Sequence, residues 1–150
     1  MKKKDVQVAI VVSEYNETIT SKLLKGALAR LLEVGMDEKS IAVIKVPGAV
    51  EIPLTVACLA KINKYQAIIC LGAVIRGETS HYDYVCQMVS QGCLQVMLEF
   101  NIPVVFGVLT TDNIEQAEDR VGGKEGHKGV EAADTAMSMM SVVQHIITSE

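Results

Sequence analysis

The residues able to do chemistry fall into short stretches: Glu14-Tyr15-Asn16, Pro47 to Glu51, Gly72 to His81, and Phe106 to Asp112. Each mixes glycine, polar or aromatic types and follows a run of apolar, β-prone residues. Gly72 to Thr79 matches the phosphate-loop pattern GxxxxGK followed by Ser or Thr, except that Glu78 takes the lysine position. A carboxylate there repels the terminal phosphates of a nucleotide, which argues against nucleotide hydrolysis. What survives is a glycine loop running into a helix start, a seat for one smaller anion. His81 follows in the first turn of that helix, where the positive helix end favours a neutral imidazole that accepts a proton. A solvated or capping histidine fits the same position.

Arg120 lies four residues beyond Gln116 on one face of a short helix. Its guanidinium matches a phosphate with two donors, although a surface pair with Glu115 or Glu118 explains it as well. Tyr15 offers a flat face to a heterocycle, and an ordinary loop tyrosine accounts for it equally. His127 and His145 have weaker cases, since His145 sits where a cation complements the end of the last helix.

These stretches need a frame, and the pattern between them supplies one. Val6–Val12, Ile41–Val46, Gln66–Gly72 and Pro103–Leu109 read as strands. Between them run helical stripes. Ile19, Leu23, Ala27 and Leu31 form the first, with Thr18 or Thr20 as its cap and Gly35 as its stop. A second helix carries Pro53 in its first turn, and a long third runs from about Ser80 to Asn101. Thr110-Thr111-Asp112 caps a short helix, and the glycine-rich Gly122–Gly129 segment opens a last one. Apolar strands alternating with helices predict a four-stranded parallel sheet covered on both faces, an α/β three-layer sandwich over residues 1–150 as one domain. In such a sheet, ligands bind beyond the carboxyl ends of the strands, where all four polar stretches lie.

Composition narrows the classes. The chain has 150 residues, 49% apolar and 21% charged, with net charge −4, so it lacks the basic balance that nucleic acid or an anionic membrane attracts. The basic start Met1-Lys2-Lys3-Lys4 is followed by too short an apolar run, without a small-residue cleavage pattern, to read as a signal peptide. Ala67 to Ile75, the longest apolar stretch, is too short to span a bilayer. Cys58, Cys70, Cys86 and Cys93 form neither a CxxC pair nor a zinc spacing and read as buried thiols of a cytoplasmic protein. The third helix is unusual: between Tyr84 and Phe100 its one charge is Glu99, and apolar residues occupy more than one face. A helix packed on its own sheet needs one stripe, so the second predicts a homo-oligomer.

Together the stretches resemble the lumazine synthase family along nearly the whole chain. The matching segments are Tyr15-Asn16 with Ile19-Thr20, Pro47-Gly48-Ala49-Val50-Glu51-Ile52-Pro53, and Gly72-Ala73-Val74-Ile75-Arg76-Gly77-Glu78-Thr79-Ser80-His81-Tyr82-Asp83-Tyr84. A last one runs from Phe106 to Thr111, then through Gln116-Ala117 and Arg120 to Lys128-Gly129.

The resemblance implies a flavodoxin-like sandwich assembled as pentamers, with sites shared between subunits, two small-molecule substrates, and no need of a metal or a redox cofactor. These are 5-amino-6-(D-ribitylamino)uracil and 3,4-dihydroxy-2-butanone 4-phosphate. It implies that Tyr15, Ala49, Val50, Glu51, Ala73, Val74 and Ile75 hold the ribitylaminouracil, with Phe106 packing on the ring from a neighbour. Glu78 and Thr79 would hold the ketone phosphate together with the neighbour's Arg120, and His81 would transfer protons. Tyr15 stands where phenylalanine or tryptophan is common, and His127 where asparagine is frequent. The Gly122-Gly123-Lys124-Glu125-Gly126 stretch resembles members that build sixty-subunit shells. Two alternatives share the scaffold: an archaeal-type riboflavin synthase, which needs no phosphate seat, and a non-catalytic flavin-binding shell protein.

Overall fold

The computed structural model describes residues 6–149; the basic start, Met1 to Lys4, lies outside them. Strands and helices alternate as β1 (Val8–Ser13), α1 (Glu17–Glu33), β2 (Ile41–Val46), α2 (Ile52–Lys61), β3 (Ala67–Ile75), α3 (His81–Phe100) and β4 (Val104–Thr111). A short α4 (Ile114–Glu118), a small hairpin of β5 (Val121–Gly123) and β6 (Gly126–His127), and a long α5 (Lys128–Thr148) complete the order. The four long strands pair in parallel in the order β2-β1-β3-β4.

Both faces of this sheet are covered, which is why β1 is apolar at consecutive positions instead of alternating. Val8, Ile10, Val12, Ile69 and Leu71 pack on Ile19, Leu23, Ala27 and Leu31 of α1 and on Ala132, Ala133, Ala136 and Met140 of α5. Ala9, Val11, Ile68 and Cys70 face the other way, onto Ile52 and Val56 of α2 and Val85, Val89, Cys93 and Val96 of α3. The result is an α/β flavodoxin-like three-layer sandwich. Because β1 is followed by β2 on one side and flanked by β3 on the other, the strand order reverses between β1 and β3. A crevice opens at their carboxyl ends.

Several local features differ from the sequence pattern, each for a physical reason. Neither Thr18 nor Thr20 caps α1; Asn16 does so in the left-handed conformation, φ 62°, without a side-chain bond to the helix. Asparagine tolerates that conformation, and its amide is thereby released for another partner. Gly35, with φ 102°, does follow α1 in the left-handed region, as its position predicts. Strand β3 continues past Gly72 to Ile75 because β4 runs beside it as far as Thr111. Gly72 is a close-packing position, since a Cβ there would lie 2.9 Å from Ser13 Oγ. Asn113, not Thr110 to Asp112, caps α4, its side chain accepting from Gln116 N–H at 2.8 Å.

The glycine-rich segment is a hairpin rather than an open loop, ending on His127. His127 Nδ1 accepts from the N–H groups of Gly129 and Val130 at 3.1 and 3.3 Å and so caps α5. Cys70 and Cys93 are buried as predicted and Cys86 is half-buried, but Cys58 is exposed on the outer side of α2. The second apolar stripe of α3 is bare in the single chain: Tyr84, Met88 and Leu98 are 64%, 57% and 66% exposed. Leu54 on neighbouring α2 adds 73%.

Candidate active site at the switch point of the sheet

The chain leaves β1 through Glu14, whose N–H reaches Val46 O at 2.8 Å, and Tyr15, whose N–H reaches Pro47 O at 3.0 Å. These bonds continue the β1–β2 pairing beyond the strand ends and hold Tyr15 beside Gly48. The amide of Asn16, free of any capping duty, donates to Ala73 O at 2.8 Å and ties the β1 exit to β3. Tyr15 is then left 72% exposed, its ring standing over the crevice edge instead of in a core.

A cavity of about 490 Å³ occupies this crevice. Tyr15, Ala49, Val50, Ala73, Val74, Ile75, Thr79 and His81 line it, joined by Asn16, Gly48, Gly77, Tyr82 and Val85. Glu51 and Glu78 are exposed and are not among its lining residues. The Glu51 carboxylate turns back toward Gly48, where an added Cβ would lie 3.1 Å from its Oε1. Thr79 Oγ1 accepts from His81 N–H at 3.3 Å, which holds the loop against the first turn of α3.

Phe106 and Arg120 lie elsewhere. They line a second cleft of about 660 Å³ along β4, α4 and the hairpin, with Gln116, Lys124 and Lys128 among its walls. Lys124 pairs with Asp119 at 3.7 Å, while Arg120 makes no salt bridge among the described residues, with Glu115 and Glu118 included. One chain therefore brings the Tyr15-to-His81 set together and keeps Phe106 and Arg120 apart from it.

Between the clefts stands Arg76, unassigned by sequence pattern. Its Nε donates to Asp112 Oδ1 at 3.0 Å, and its guanidinium carbon sits 4.2 Å from the centre of the Tyr82 ring. The bond to Asp112 strengthens the hold of Arg76 on its proton, against the opposing effect of burial. Burial pushes the Tyr82 phenol above its ordinary range, against a hydrogen bond to Thr110. Asn16 and Tyr82 also went unassigned. The signal available for each was position alone, next to Tyr15 and to His81.

A flat aromatic face, backbone edges of a central strand, a helix start and a histidine converge where the strand order reverses. That arrangement defines an α/β enzyme acting on small soluble molecules at the carboxyl edge of its sheet. Comparison with known proteins makes the class specific. The profile of the 6,7-dimethyl-8-ribityllumazine synthase family matches residues 5–144. Proteins named 6,7-dimethyl-8-ribityllumazine synthase from Coxiella burnetii strains CbuG_Q212 and RSA 493 / Nine Mile phase I are each 54% identical over 151 aligned residues. The alignments cover 100% of both chains. The protein of that name from strain Dugway 5J108-111 matches at the same identity and coverage. The chain belongs to the 6,7-dimethyl-8-ribityllumazine synthase family, transferases of riboflavin biosynthesis.

Proposed function

We propose that the chain condenses 5-amino-6-(D-ribitylamino)uracil with 3,4-dihydroxy-2-butanone 4-phosphate to 6,7-dimethyl-8-ribityllumazine, releasing phosphate and water, as a cytoplasmic homo-oligomer. The observation that carries this is the single cavity shared by Tyr15, the Ala73–Ile75 strand edge, Thr79 and His81. Tyr15 stacks on the pyrimidine ring, and Ala73, Val74 and Ile75 meet its edge with backbone groups. Ala49, Val50 and Glu51 hold the ribityl chain, Glu51 accepting from its hydroxyls. Main-chain N–H groups at Glu78 and Thr79 seat the ketone phosphate at the start of α3.

The pyrimidine amine attacks the ketone carbon, and loss of water gives an imine. Phosphate then leaves, the second nitrogen closes the ring, and a further water is lost. His81, at the loop end of the cavity, moves protons between nitrogen and oxygen in these steps. Holding the two substrates together supplies the larger share of the acceleration: effective molarities of oriented pairs reach roughly 10⁵–10⁸ M. One general acid–base typically gives about 10²–10⁴-fold.

Phe106 and Arg120 act in this scheme from an adjacent subunit. Their separation from His81 within one chain supports that arrangement, as does the bare apolar stripe of α3 with Leu54. A ring of five subunits, each lending Phe106 and Arg120 to the next, satisfies both, and twelve such rings would make a sixty-subunit shell. Among the described residues no helix is long and apolar enough to cross a membrane. The test mixes purified protein with both substrates and follows lumazine fluorescence. A rate no greater than the uncatalysed background rejects the proposal. Light scattering after size exclusion separates monomer, pentamer and shell.

A further inference from the structure

We infer that Arg76 is a positioning residue that sets the geometry of the phosphate seat by clamping it to the β4–α4 turn. The inference rests on the main chain of Glu78 and Thr79 being that seat. Arg76 stands between Ile75 and Gly77, both of which line the cavity. Its backbone N–H donates to Thr111 O at 2.8 Å, closing the last rung between β3 and β4. Its side chain then makes three contacts on two other elements. Nε bonds Asp112 Oδ1 at 3.0 Å, NH1 lies 3.7 Å from Asp83 Oδ1, and the guanidinium stacks on Tyr82 at 4.2 Å. Asp112 is itself held, its N–H donating to Gln116 Oε1 at 2.8 Å.

The loop needs such a tie. Gly77 has open space where a side chain would stand, and residues 76–80 are exposed, so packing does not fix them. An anion seat made of main-chain N–H groups works only while those groups point at one spot. Arg76 holds the loop's entry relative to the first turn of α3, through Tyr82 and Asp83, and to the end of β4, through Asp112. Two carboxylates already engage the guanidinium, so its role is to brace the seat and not to bind the phosphate.

Steady-state kinetics with each substrate varied test this on Arg76→Met, Arg76→Lys, Asp112→Asn and the Arg76→Met/Asp112→Asn double variant. The expected result is a KM for ketone phosphate raised roughly three- to tenfold in Arg76→Met, as befits partly exposed ion pairs and one stack. The KM for ribitylaminouracil and kcat should change less than twofold, and Arg76→Lys should recover part of the loss. Asp112→Asn should raise the same KM, and the double variant should be no worse than Arg76→Met, because Arg76→Met already removes the contact to Asp112. Fully additive effects, or an unchanged KM in Arg76→Met, overturn the positioning role. Failure of inorganic phosphate to compete with ketone phosphate on the wild-type enzyme would refute the seat itself. That result is distinct from failure of Arg76 alone.

Discussion

At the scale of single residues, the division of labour between binding and proton transfer is what kinetics can resolve. His81 is exposed, held by its backbone to Thr79 and by its place at the start of α3. In the proposed scheme, replacing it with alanine removes one proton-transfer group and leaves both substrates oriented. His81→Ala should therefore lower kcat by about 10²-fold, the low end of general acid–base effects, and still exceed the uncatalysed rate. A folded variant with no rate above background would place the chemistry on His81 instead. Arg120→Ala should act on the other axis, raising the KM for ketone phosphate by about tenfold or more with a smaller change in kcat. An equal loss in kcat and kcat/KM would mean that Arg120 serves the transition state alone. Sequence pattern made most of these groups visible because polar residues after an apolar strand mark the sheet edge. Asn16 and Arg76 were not visible as site-builders, because their partners, Ala73 O and Asp112, are distant in the chain. No local pattern reports such bonds.

At the scale of elements, α5 depends on a cap that the sequence does not advertise. Its N-terminus is closed by His127 Nδ1, which accepts from Gly129 and Val130, and the same ring fills the space beside Gly26. Asparagine offers a comparable acceptor at this position without the ring. His127→Ala should thus cost about 1 kcal/mol for the lost cap, plus whatever packing the ring supplies beside α1. In a chain of this size, each kcal/mol lowers the melting temperature by about 2–4 °C. His127→Asn should fall between wild type and His127→Ala in a thermal melt. Equal melting temperatures for the two variants would show that packing, and not the cap, is what the histidine contributes. The β5–β6 hairpin is likewise not legible in the glycine-rich Gly122–Gly129 segment that leads into α5. Gly122 and Gly126 supply positive φ values of 104° and 83°, a geometry that composition alone leaves open between loop and hairpin. The central strands β1 and β3 are legible because burial on both faces writes itself into continuous apolar runs; β2, at the sheet edge and only partly buried, is legible from its β-branched residues instead.

At the scale of the whole molecule, one question joins the bare face of α3 to the two separated clefts: whether a working site needs two chains. Tyr84, Met88 and Leu98 are large apolar side chains left exposed on α3, the kind of surface that subunit contacts cover. Phe106 and Arg120 line a cleft distinct from the one containing His81. If each site takes its His81 cleft from one subunit and its Arg120 cleft from the next, the two lesions can be separated between chains. His81→Ala and Arg120→Ala chains, co-expressed in equal amounts with different tags and isolated as mixed assemblies, then form some sites with neither lesion. With random assembly around a head-to-tail ring, about a quarter of sites draw both contributions from intact halves. At limiting ketone phosphate the mixed assembly should recover about that fraction of wild-type activity, well above the mean of the two parent variants. A site contained within one chain gives no such recovery, since every chain carries a lesion. Activity equal to the parental mean in a verified mixed assembly would therefore confine catalysis to single subunits and leave the α3 stripe as an interface with no part in the chemistry.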